Sequence, residues 1–205
     1  MSHCSSFDLK FKDKQVLFKS MRNLGMSPEN RLWAEYKTVI GKTLGIGGNV
    51  MGRLLTGYYQ NMNIFFIENN GALTPNVESH EMTREQVQIK GEQVIALIQK
   101  EYVKCAMEKM QKSIVATGLS ANLSTNNEKG VITHILDVGN GKRFVVSVQG
   151  ESIREEVEGV VGRSCVDFSS VFETMVGENV QREWKVEYNE MVEDQELQVL
   201  RLGYI

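Results

Sequence analysis

The sequence predicts an α+β protein of two small modules, each an antiparallel or mixed sheet covered on one face by helix. Three observations carry this prediction. The chain opens on a run in which apolar and polar residues alternate, the period-two pattern of a half-buried strand. Between Thr83 and Lys112 the apolar residues recur at three- and four-residue steps, which is the period of a helix lying along a sheet. After Lys112 the period returns to two and stays so, with one short helical interruption near Phe168. The change of period divides the chain into an expected β-α-β module over residues 1–120 that ends in a long helix, a ββαβ module over residues 130–191, and a tail over residues 192–205.

The first elements are set by local patterns. In "SSFDLKFKD", Phe7, Leu9 and Phe11 alternate with polar residues and read as a strand, and Asp13 caps the helix "KQVLFKSMRNLG". That helix carries Val16, Leu17, Met21 and Leu24 on one stripe and stops at Gly25. From Trp33 to Gly57 a glycine-rich stretch interrupts the pattern, and two nucleotide motifs fail there on spacing. The "GKT" at Gly41 to Thr43 has Tyr36 where a P-loop needs its first glycine, and counting from Gly45 a dinucleotide fingerprint would need its third glycine at Val50. A plain loop or hairpin is expected over Gly41 to Gly57. Met62 to Ile67 reads as a buried strand closed by an Asn-Asn-Gly turn, and Pro75 interrupts the chain after that turn.

Thr83 and Gln86 form a capping box, in which each side chain can satisfy an exposed amide at the start of the long helix. Its stripe is Val87, Val94, Ile98, Tyr102, Cys105 and Met110, with Lys100, Lys104, Glu108 and Lys112 toward solvent. "SIVATGLSANLST", "GVITHILDV" and "KRFVVSVQ" then read as strands, with "GNGK" and "QGES" as turns leading into "IREEVEGV". The polar "STNNEKG", Ser124 to Gly130, is the expected junction between modules. Asp167 can cap a short helix with Phe168, Val171, Phe172 and Met175 on its buried side and Gly177 at its end. "NVQREWKVEY" is a last strand.

Composition narrows the function. With 205 residues, 41% of them apolar, the chain can bury a core. Its 23 basic residues against 26 acidic make no uniform basic field, which argues against general nucleic-acid binding. No apolar run approaches the roughly 20 residues that cross a bilayer, and the N-terminus lacks a signal-peptide pattern, so a cytoplasmic protein without membrane contact is expected. Cys4, Cys105 and Cys165 are odd in number and widely spaced, which argues against a disulfide framework or a clustered metal site.

Cys165 is the candidate for chemistry. It comes after the glycines Gly159 and Gly162, with Ser164 before it and Asp167 after, at the start of a helix whose amides favour a thiolate. Against that stand the carboxylate of Asp167 and the lack of a histidine or second cysteine nearby. The competing reading is a cysteine packed inward on the phase of Phe168 and Phe172. His3 and Cys4 could hold a metal only with ligands from elsewhere, and His80 and His134 offer neither ligand spacing nor a triad. Glu155, Glu156 and Glu158 read as a solvated strand edge, with a charged docking surface as the alternative.

Two resemblances attach to these stretches. The opening "MSH-x-S", the β-α unit ending in "LG", the strand before an Asn-Gly turn and "QKEYVKCAMEKM" together resemble the family typified by the hypothetical chloroplast reading frame thirty-five proteins, a domain of unknown function (DUF1257-like), over about residues 1–120. The segment from Arg143 to Met191, with Gly-x-x-Gly-x-Ser-Cys and a closing "K-x-E-Y" that contains Glu187 and Tyr188, resembles a second small domain of unknown function (DUF2997-like). These resemblances imply the company of AAA-type ATPases and no particular activity or cofactor. Gly159, Gly162, Ser164, Cys165, Glu187 and Tyr188 become the candidate binding residues. The leading expectation is a non-enzymatic adaptor that binds another protein of the AAA-type ATPase class. A thiol-dependent redox protein or enzyme centred on Cys165 is the alternative.

Overall fold

The computed structural model describes residues 3–26, 28–32, 53–79, 81–150, 152–160, 164–177 and 181–184. These form β1 (His3–Asp8), α1 (Lys14–Asn23), β2 (Glu29–Leu32), β3 (Arg53–Tyr59), β4 (Met62–Asn69), β5 (Ala72–Glu78), α2 (Arg84–Ala116), β6 (Asn122–Glu128), β7 (Val131–Gly139), β8 (Lys142–Gln149), β9 (Ser152–Glu158), α3 (Ser164–Val176) and β10 (Gln181–Trp184). The fold is α+β, as expected, and every strand pairing among the described residues is antiparallel. Residues 1–16 and 102–205 make one compact unit and residues 17–101 the other. The boundaries therefore differ from those expected at residues 120 and 130, and they fall inside α1 and α2. The expected tail, residues 192–205, lies outside the described residues.

The first unit holds a six-stranded sheet in the order β10-β1-β9-β8-β7-β6. The chain's first strand lies between β9 and β10, with Cys4 opposite Glu156 on one side and Glu183 on the other. Strands β6 to β9 form a meander of hairpins. Its first two connections, Lys129-Gly130 and Asn140-Gly141, put both turn residues at positive φ, the type I′ geometry whose twist matches that of paired strands. "STNNEKG", expected as a junction, is instead strand β6 and its turn. In β8 the alternation is regular: Phe144, Val146 and Val148 are buried, while the residues between them are not. Phe168 and Phe172 of α3 meet Phe144 edge-on at 5.7 and 5.3 Å between ring centroids, which fixes α3 on this face.

The second unit holds the sheet β2-β3-β4-β5. Pro75 does not interrupt the chain here but lies within β5, opposite Phe66, because β5 is an edge strand and an edge tolerates a missing amide. Gly91 of α2 sits where an added Cβ would come 3.3 Å from the Val77 Cβ, so α2 lies close against β5.

Helix α2 opens with the expected capping box. The Thr83 amide donates to Gln86 Oε1 at 3.0 Å and the Gln86 amide to Thr83 Oγ1 at 3.3 Å. Val94, Ile98, Tyr102, Cys105 and Met110 are buried on its stripe. The helix does not stop at Lys112, as the switch of period suggested. Ile114 is still buried one turn beyond Met110, and the chain leaves the helix through Gly118. β-branched Ile114 looks strand-like in sequence, but its packing overrides that weak propensity.

Candidate functional site

The glycine turn before Cys165 is built as a close approach of two backbones. Gly159 leaves β9 at φ +70°, and a Cβ there would lie 2.2 Å from the Gly141 carbonyl oxygen and 2.8 Å from its carbon. Only glycine fits, on both counts. Its role is to seat the exit of β9 on the turn between β7 and β8. Helix α3 begins at Ser164, three residues before Asp167, which corrects the expected cap: Asp167 lies inside the first turn, where a carboxylate suits the helix dipole. Cys165 thus occupies the first turn in its backbone path. The direction of the Ser164 and Cys165 side chains lies outside the described residues, as do Gly162, Glu187 and Tyr188. The glycine-rich stretch from Gly41 also lies outside them as far as residue 52, whereas Gly57 is in β3.

The three carboxylates of β9 do not share an edge. Strand β9 is interior to the sheet, and directly opposed residues of paired strands point to one face. Glu155 is opposite Val146, which is opposite His134, so these three lie on the helix-covered face, and each is essentially inaccessible to solvent. The expectation of a solvated Glu155 is overturned by register: it shares the parity of buried Ile153 and Val157. That signal was present in "IREEVE". His134 Nδ1 lies 2.9 Å from Thr125 Oγ1 across the β6–β7 pair, which makes it a hydrogen-bonded core histidine.

Glu156 and Glu158 lie on the opposite face, and this outer face is the candidate binding surface. In register with them stand Val145 and Arg143 of β8, and Ile135 and Asp137 of β7. None of the described outer-face residues is buried: Arg143 and Arg154 are exposed, while Ile135, Val145, Thr133, Ser147, Glu156 and Glu158 are half-buried. Arg143 Nε is 3.4 Å from Asp137 Oδ2, an exposed pair that adds little stability. Thr133 Oγ1 lies 3.3 Å from Ser147 Oγ. An apolar pair, Ile135 and Val145, ringed by charges and hydroxyls has the anatomy of a modest protein interface. Only the register across strands joins these residues on one face.

A second cluster, missed in the sequence, braces the start of α1. Asp13 Oδ1 accepts from the amides of Gln15 at 2.9 Å and Val16 at 3.0 Å, the expected cap, and Oδ2 accepts from Lys109 Nζ at 2.5 Å. Burial pushes the Asp13 carboxyl up, but the Lys109 hydrogen bond and charge with the two amides outweigh it and hold the group below its ordinary value. The buried Tyr102 hydroxyl accepts from the amides of Lys12 and Asp13 and donates to the Met175 carbonyl at 2.6 Å. Burial raises its pKa well above the usual phenol range, so it serves as a neutral hydrogen-bonding post. A shallow cleft of about 450 Å³ opens here, lined by Lys12, Lys14 and Thr174 among others. Among the described residues no group of three or more His, Cys, Asp or Glu could hold a metal ion, and no helix is long and apolar enough to cross a membrane.

Residues 143–189 match the model of a family described as a protein of unknown function (DUF2997). No curated protein and no solved structure matches the chain. The N-terminal resemblance expected over residues 1–120 finds no support in these comparisons. The matched segment begins in β8 and contains β9, α3 and β10, yet β9 and β10 are separated in the sheet by β1. The segment that is similar to the DUF2997 model thus has its sheet completed by a strand from outside the matched residues.

Proposed function

We propose that this chain is a non-enzymatic adaptor that binds another protein through the outer face of its six-stranded sheet, with an AAA-type ATPase as the partner. The observation that carries the reading is the outer face, on which no described residue is buried and where the half-buried pair Ile135 and Val145 lies among Arg143, Arg154, Glu156 and Glu158. An apolar centre within a charged rim supplies both desolvation and orientation to an approaching protein. The choice of partner class rests on the family resemblance rather than on the face itself.

A second reading, a thiol-dependent redox protein centred on Cys165, is favoured by one observation: the cysteine lies in the first turn of α3. One experiment separates the two. Binding of the purified AAA-type ATPase from the same cell is measured by titration for wild type, for Arg143→Glu with Arg154→Glu, and for Cys165→Ser. The adaptor reading expects at least a tenfold loss in the arginine variant and unchanged binding in Cys165→Ser. If Cys165→Ser alone abolishes the interaction, the thiol reading replaces it.

A further inference from the structure

We infer that the free edge of β6 pairs with the same edge of a second copy of this chain, joining two six-stranded sheets into one. The inference does not depend on the adaptor reading, which uses the sheet's face and not its edge. Strand β6 ends the sheet, and no described strand pairs with its other side. Six of its seven residues are exposed, with only Leu123 half-buried. Edge strands in monomers are usually blunted by proline, a bulge or several charges. Here the sequence Asn122–Glu128 contains no proline, its register with β7 is unbroken, and Glu128 at its end is the one charged residue.

The strand is self-complementary. An antiparallel two-fold pairing with full overlap centres on Thr125 and sets Ser124 opposite Asn126, and Asn122 opposite Glu128. The two Glu128 carboxylates then lie at opposite ends of the pair, each facing a carboxamide able to donate to it. Every opposed side chain except Leu123 is a hydroxyl, a carboxamide or that carboxylate. Such pairing satisfies the outward amides and carbonyls of both edges. A single strand pair falls below the size of a standard interface, so the dimer is weak and concentration-dependent.

The test uses sedimentation of the full chain between about 10 µM and about 1 mM, the window for a small interface of this kind. Wild type should rise from the monomer mass of 23.2 kDa toward twice that value. Ser124→Lys with Asn126→Lys sets like charges opposite each other across the two-fold and should hold the chain at the monomer mass, whereas Ser124→Lys with Asn126→Glu sets opposite charges there and should restore association. Amide exchange of β6 should slow as wild type is concentrated. A wild type that stays monomeric, or two double variants that associate alike, overturns the inference.

Discussion

The two sheets of this protein treat their faces differently. In the six-stranded sheet, β8 buries Phe144, Val146 and Val148 and leaves the alternate residues in or near solvent. In the four-stranded sheet, β4 buries Ile64, Phe65 and Phe66 in succession, so both of its faces are covered. Both strands carry successive apolar residues, Phe144 to Val146 in β8 and Ile64 to Phe66 in β4, so it is the alternation of burial and not of sequence that separates them. The proposed binding face accordingly lies in the unit that contains residues 143–189, not in the other.

The sharpest way to break this comparison is to truncate neighbours in each sheet. Phe65→Ala and Phe66→Ala should each cost about 3 to 5 kcal/mol in a denaturant titration, because both rings are buried. In β8 the neighbours should diverge: Val146→Ala should cost about 2 kcal/mol and Val145→Ala less than about 1 kcal/mol. Equal losses at Val145 and Val146, or a loss below about 1 kcal/mol at either phenylalanine, would remove the distinction.

A smaller effect sharpens the description of how β9 leaves the open sheet. Gly159→Ala combines a left-handed backbone with a Cβ 2.2 Å from a carbonyl oxygen, and should cost about 1 to 3 kcal/mol while the neighbouring glycine-free strands keep their exchange protection. A neutral result would mean that the exit of β9 does not rest on the β7–β8 turn. The smallest effect is the pH dependence of the brace at Asp13. Its carboxyl lies below the ordinary value of 3.8 in the folded chain, so its contribution is present above that pH and is lost as the pH falls through the lower, folded value. Asp13→Ala should therefore cost about 1 kcal/mol at pH 7, with the gap to wild type narrowing below about pH 4. A gap that stays constant down to about pH 2 would contradict this assignment.

Elements whose determinants are local were legible in the sequence. The capping box at Thr83, the stripe from Val94 to Met110 and the inward side of α3 at Phe168 and Phe172 all depend on residues within a few turns of one another. The outer face was half legible, because parity assigns Val145 and Glu156 each to a side of its own strand, whereas only cross-strand register shows that they share one. The position of β1 was not legible at all. Nothing in "HCSSFD" specifies partners that lie roughly 150 residues away, since strand pairing is made by backbone groups common to every sequence. The candidate turn at Gly159 was found by its glycines, but the reason for the first of them, contact with Gly141, is tertiary.

The insertion of β1 between β9 and β10 also sets an order of events during synthesis. Strand β1 must wait for partners roughly 150 residues later, which at ribosomal rates is about 8 to 30 s. The hairpins from β6 to β9 can close locally as each strand emerges, but the slot beside β9 is filled only when a distant segment returns to it. Closing so long a loop makes this step slow relative to the hairpins, and the sheet's completion becomes a late event in folding.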